Sequence, residues 1–197
     1  MSHYFLHDEN LKSNEYVVRY SFNNVDFHLV SDNGVFSKKK LDEGSYIFVK
    51  TLFTFSLKGR VLDLGCGYGA IGLTLKYFFK DEINLTMSDV NSSCTKLSEK
   101  NLASYKLGAK VVTSDGFNNL LDTFDYILFN PPIRIGKEAI YKIYNDAYTH
   151  LDSNGHFLIV IRKDKGAESH VKYLEALFSK VTLITRDCGY RVYEMIK

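Results

Sequence analysis

Val61-Leu62-Asp63-Leu64-Gly65-Cys66-Gly67-Tyr68-Gly69-Ala70-Ile71-Gly72 reads as a short apolar strand running into a glycine cluster that opens a helix. Glycine is needed where a side chain would block a ligand from the backbone, or where φ must be positive. The backbone N–H groups of such a loop, with the helix N-terminus, predict a polar cradle. Gly67-x-Gly69-x-x-Gly72 matches the pattern GxGxxG formally, and a tight strand-to-helix turn with no ligand carries the same glycines. Working outward, strand and helix alternate. Arg60–Leu64 is a strand and Gly69–Phe79 a helix. Ile83–Ser88 is a second strand and Ser92–Tyr105 a second helix. Lys110–Thr113 is a third strand and Tyr126–Phe129 a fourth, whose continuous apolar run suits a sheet covered on both faces.

Lys137–His150 has Ile140, Ile143, Tyr144 and Ala147 at helical spacing. Asp152-Ser153-Asn154-Gly155 predicts a turn, and His156–Ile161 a fifth strand. Ala167–Phe178 is a helix. Val181–Thr185 and Tyr190–Ile196 are strands whose short link, Asp187-Cys188-Gly189, predicts an antiparallel hairpin. Repeated β-α-β units predict an α/β fold, a doubly wound Rossmann-like sheet with its last strand antiparallel. Residues 58–197 form this domain. Residues 1–57 are a small N-terminal β/α extension packed on it. In the extension, Glu15–Tyr20 and Val25–Val30 are strands joined at Asn23–Asn24, and Leu41–Phe55 is a helix. In such sheets ligands bind beyond the carboxyl ends of the strands, near the switch point.

At 197 residues the chain fits one domain, long enough to bury roughly 70% of its unfolded surface without disulfides. Its net charge of +2 is too small for nucleic-acid binding by charge alone. The one basic run, Lys38-Lys39-Lys40, suits a solvated loop, with an RNA contact the sharper alternative. Cys66, Cys94 and Cys188 are odd in number and widely spaced, which argues against a zinc site or a disulfide framework and suits a reducing, cytoplasmic setting. The six histidines make no metal spacing, so no metal is expected; His3, His7 and His28 are surface or core residues. No secretory leader and no membrane-spanning run of ~20 apolar residues is visible.

Each of the first four core strands ends in a marked motif. After the first, Asp63 stands two residues before Gly65, placed to meet a cationic group. That favours S-adenosyl-L-methionine, which has no pyrophosphate to cradle, over a dinucleotide. After the second comes Ser88-Asp89-Val90. An acid here can accept both ribose hydroxyls of an adenosine, while Asp89 or Asn91 also suits an ordinary helix cap. After the third comes Ser114-Asp115-Gly116-Phe117. Asp115 can take the adenine amino group and Phe117 can lie on its face, or the segment is an Asp-Gly turn. After the fourth comes Asn130-Pro131-Pro132-Ile133-Arg134. Adjacent prolines fix the backbone, remove two N–H donors and push Asn130 toward extended geometry. Carbonyl oxygens and the Asn130 amide oxygen are left to accept from a planar amino group, aiming its nitrogen at an electrophilic methyl. No strong base stands at this motif.

These stretches, VLDLGCGYG, SDV, SDGF and FDYILFNPPIR, resemble the class I adenosylmethionine-dependent methyltransferases of the "methyltransferase small" group. The resemblance extends to Gly34-Val35-Phe36-Ser37, Leu41-Asp42-Glu43-Gly44-Ser45, Lys163–Ala167 and Gly189-Tyr190, covering roughly residues 15 to 197. It implies a seven-strand sheet and methylation of the exocyclic N2 amine of guanine in small-subunit ribosomal RNA. The cofactor would be S-adenosyl-L-methionine and the product S-adenosyl-L-homocysteine. Cofactor contacts would come from Phe36, Asp63, Gly65, Cys66, Gly67, Gly69, Asp89, Val90, Asp115, Gly116, Phe117 and Asn130. Asn130, Pro131 and Pro132 would be catalytic, and Ile133 and Arg134 would face the substrate. Ribosomal RNA or the small subunit would be the partner of a monomer or homodimer. Many members have Phe or Tyr where Ile133 stands, so stacking must come from elsewhere or be replaced by apolar packing, and Arg134 could also lie on a base face. A protein glutamine, another RNA base or a small-molecule amine is the alternative substrate; a binding module without catalysis and an NAD-dependent oxidoreductase are the rival classes.

Overall fold

The structure is a computed structural model and describes residues 13–33, 40–132 and 136–197. It opens with a hairpin, β1 (Glu15–Phe22) and β2 (Val25–Asp32). Asn23 and Asn24 both take positive φ, 47° and 61°, the two-residue turn whose twist matches a hairpin. Helix α1 (Glu43–Leu52) follows, with the Asp42 carboxylate accepting the Ser45 N–H as its N-cap. Then come β3 (Gly59–Leu64), α2 (Ala70–Phe79), β4 (Ile83–Asp89), α3 (Ser92–Ser104), β5 (Lys110–Thr113) and β6 (Phe124–Phe129). The chain closes with α4 (Lys137–His150), β7 (Leu151–Arg162), α5 (Ala167–Leu177), β8 (Lys180–Asp187) and β9 (Tyr190–Ile196).

The seven strands β3 to β9 form one sheet in the order β5-β4-β3-β6-β7-β9-β8. The first five are parallel, and β9 is antiparallel to both β7 and β8. Only the last strand therefore runs against the rest, as the sequence pattern predicts. Strand alternation divides the core in two. Val61, Leu85, Met87, Leu128, Leu158, Val160 and Val192 face a layer built from α1, α2, α3 and the β1–β2 hairpin. Leu62, Leu64, Ile127, Phe129, Phe157, Ile159 and Ile161 face α4 and α5.

The hairpin lies on α2 and α3 through its alternate residues. Val18, Phe27 and Leu29 are fully buried, and Phe27 stacks on Tyr20 and Tyr105. The Asn101 amide of α3 accepts from Val30 N–H at 2.8 Å and donates to Val30 C=O at 2.9 Å, so it satisfies the open edge of β2 as a neighbouring strand would. Helix α1 packs over β7 and β9 with Ile47, Phe48, Val49 and Leu52 buried, so it is part of the helical layer of the sheet.

The turn expected at 152–155 is realised inside a strand. β7 starts at Leu151, and its register on β6 jumps from Phe124↔Leu151 to Tyr126↔His156. The extra residues form a bulge with Asn154 at φ 63°, which lets the strand begin straight from α4 without a separate loop.

Candidate active site

From β3 the chain moves outward through β4 and β5, then returns to lay β6 on the other side of β3. The switch point of the sheet therefore lies between β3 and β6, paired at their carboxyl ends as Leu64↔Phe129. Gly65 and Asn130 are the next residues on either side of that cleft, where ligands of doubly wound folds bind.

The glycine loop is held from beneath. Gly65, Gly67 and Gly69 have φ of 70°, 57° and 92°, a region that favours glycine. Gly65 and Cys66 N–H both donate to Ser88 C=O, at 2.8 and 2.9 Å, and Gly69 N–H donates to Cys66 C=O. Gly67 N–H donates to Asp89 Oδ2 at 2.9 Å, and Gly72 N–H donates to Asp63 Oδ2 at 2.8 Å. The Ser98 hydroxyl donates to Gly67 C=O, and Asn101 Nδ2 donates to Tyr68 C=O. The expected cradle of N–H groups is thus largely spent on acceptors of the protein itself. A pyrophosphate would find few donors here and would face the carboxylates of Asp63 and Asp89. A cationic ligand fits these acids, so the loop suits S-adenosylmethionine and not a dinucleotide. Among the described residues, a Cβ on Gly67 or Gly116 would meet no atom within 4 Å, and one on Gly65 would meet only the Phe129 ring at 3.7 Å.

Asp63 is buried, and its carboxyl is pushed up to about 7, chiefly by that burial; the Gly72 N–H opposes the shift and the Asp89 charge adds to it. Asp89 is likewise raised by burial and held back by the N–H groups of Asn91 and Gly67. It spans the loop and the start of α3, with Oδ1 accepting from Asn91 N–H at 2.9 Å; Asn91 itself caps α3. Burial pushes the Cys66 and Cys94 thiols up, so neither is a ready nucleophile.

After β5, Ser114 N–H donates to Asp89 C=O, tying the Asp115–Phe117 turn to the end of β4. Asp115 is exposed, and Gly116 has φ 54°. Phe117 is 5% exposed and its ring stacks on His150 of α4 with centroids 4.5 Å apart. One face of that ring is therefore taken by the core. Val90 is half-buried beside Asp89.

After β6, Asn130 and Pro131 are half-buried and Pro132 is exposed. Asn130 Nδ2 donates to the Ser45 hydroxyl oxygen at 3.0 Å. Its donor end is thereby turned to α1 and its carbonyl oxygen faces away. Phe36, Ile133 and Arg134 lie outside the described residues, as do His3, His7, Lys38 and Lys39; His28 is exposed. Ser45, Ser98 and Asn101 escape a sequence reading. Only the LDEGS stretch around Ser45 carries a signal, and that through resemblance. Among the described residues no group of three or more His, Cys, Asp or Glu is placed to hold a metal, and no helix is long and apolar enough to cross a membrane.

Comparison with known proteins places this geometry. The methyltransferase small domain family matches residues 26–194. The uncharacterized protein YbxB of Bacillus subtilis is 38% identical over 99% of this chain and 98% of its own. Ribosomal RNA small subunit methyltransferase C of Actinobacillus pleuropneumoniae is 34% identical over 88% of this chain but only 53% of its own. The chain thus spans about half the length of those methyltransferases. Among solved structures, the T. thermophilus 16S rRNA N2 G1207 methyltransferase, in complex with AdoMet and guanosine, superposes with a TM-score of 0.83 at 25% identity, covering 95% of this chain and 52% of that one. The chain belongs to the methyltransferase small domain family and is an S-adenosylmethionine-dependent methyltransferase.

Proposed function

We propose that this methyltransferase transfers the methyl group to the exocyclic N2 amine of a guanine in small-subunit ribosomal RNA. The observation that carries the reading is the Asn130 amide at the switch point, with Nδ2 donating to Ser45 and its carbonyl oxygen on the opposite side, where an amino group can donate to it. The activities of two relatives, an rRNA small subunit methyltransferase C and a 16S rRNA N2 methyltransferase, support the choice of amine.

S-adenosylmethionine supplies an electrophilic methyl group bonded to a sulfonium sulfur. On this reading Asp63 and Asp89 supply the negative charge that meets its cationic end and its ribose hydroxyls, and Asp115 meets the adenine. The amine N–H groups donate to Asn130 Oδ1 and to the proline carbonyls. That geometry favours a nitrogen whose lone pair leaves the ring conjugation and points at the methyl carbon. The new bond is nitrogen to carbon, the carbon–sulfur bond breaks with its electron pair leaving on sulfur, and the extra proton on nitrogen passes to water. A base inside a helix must leave its stack to reach this pocket.

The test is methyl transfer from labelled S-adenosylmethionine to small ribosomal subunits taken from cells lacking this protein, followed by nucleoside analysis. N2-methylguanosine is the expected product. Label in protein, or in another nucleoside, would move the assignment to that substrate.

A further inference from the structure

We infer that Ser45 is a positioning residue for methyl transfer: its hydroxyl anchors the Asn130 amide at the switch point, where that amide meets the target amine. The inference rests on the proposed role of Asn130 and adds the element that makes that role possible.

An asparagine side chain left unanchored turns about its last torsion, and the amine needs it held in one place. Pro131 and Pro132 carry no N–H to bond the amide oxygen. The anchor comes from 85 residues earlier in the chain. Ser45 Oγ accepts from Asn130 Nδ2 at 3.0 Å, and Ser45 is 6% exposed, so little water competes for it.

The first turn of α1 is in turn held in place. Asp42 caps it through Ser45 N–H at 2.9 Å. Tyr190, at the start of β9, packs against Gly44, where a Cβ would stand 2.7 Å from a carbon of the tyrosine ring. Because β9 is antiparallel to β7, with Tyr190↔Arg162, its first residue lies at the carboxyl end of the parallel strands. That close approach brings the N-terminus of α1 down to the same end of the sheet as Asn130. The segment Asp42-Glu43-Gly44-Ser45 therefore has one geometric outcome: a capped, closely seated turn offering a buried hydroxyl to the amide.

The experiment compares wild type, Ser45→Ala, Ser45→Thr and Asn130→Ala in methyl transfer to small ribosomal subunits, with cofactor affinity and thermal melting measured on the same samples. Ser45→Ala is expected to lower kcat by about 10-fold or more, the scale on which small misplacements act. KM for the subunit, cofactor Kd and melting temperature should stay near wild type, and Ser45→Thr, which keeps the hydroxyl, should restore most of kcat. Wild-type kcat in Ser45→Ala, alongside lost activity in Asn130→Ala, would overturn the role of Ser45 and leave that of Asn130 standing. A fall in Ser45→Ala that tracks melting temperature and is not rescued by Thr would make the contact merely structural and equally overturn the inference. Wild-type kcat in Asn130→Ala would remove both roles.

Discussion

Burial, more than any charged neighbour, sets the protonation of Asp63, whose carboxyl is pushed up to about 7. The folded-state value lies above that of an unfolded aspartate, so the native state holds an extra proton between about 4 and 7. The Asp63 contribution to stability is therefore greatest at low pH and declines as pH rises through about 7. A cation bound beside it favours the charged form, so cofactor affinity should increase as pH rises through the same window. Calorimetric titration at pH 6 and pH 8 checks this, and Asp63→Asn should flatten the dependence while keeping an acceptor for Gly72 N–H. An affinity that does not change with pH in the wild type would remove Asp63 from the cofactor's surroundings. Asp63, Asp89 and Asn130 were legible from sequence because each directly follows, or lies at, the end of a recognisable strand, where topology alone puts ligands. Phe117 shows the other side: it stands in such a motif, but its neighbour His150 is supplied by α4, so its burial is invisible locally.

Helix α3 holds both the hairpin and the glycine loop through Asn101, which is 1% exposed and bonds Val30 on one side and Tyr68 on the other. Asn101→Ala leaves three backbone groups, two partly buried on Val30 and one buried on Tyr68, without that partner. Each orphan costs about 1–3 kcal/mol, partly relieved by water, so a loss of roughly 3 kcal/mol is expected in urea unfolding. Cofactor affinity should fall with it, because the loop loses one of its two α3 supports; an unchanged unfolding midpoint would contradict the account. Elements with local signals were read closely from sequence. The Asn23–Asn24 and Cys188–Gly189 turns both take positive φ at two residues, which asparagine and glycine favour. The start of β7 was not. Asp152–Asn154 carries turn chemistry, and only pairing with β6 decides that a bulge uses it.

At the scale of the whole molecule, the doubly wound sheet follows from alternating strands and helices, yet the contribution of residues 1–57 does not. Helix α1 lies over β7 and β9, where Leu158, Val160 and Val192 belong to the same cluster as Ile47, Phe48 and Leu52. A fragment of residues 58–197 would expose these side chains, and it is expected to lose cooperative unfolding; a sharp, native-like transition from that fragment would show the extension to be dispensable. The same helix carries Ser45 to Asn130, so the N-terminal segment serves both core and site. The role proposed for Asn130 is to hold the acceptor amine, beyond any contact it makes with the cofactor. The most direct measurement is cofactor Kd and methyl-transfer rate for wild type and Asn130→Ala on the same preparations. An unchanged Kd with a rate at least about 100-fold lower is the predicted result; a rate near wild type would contradict the account.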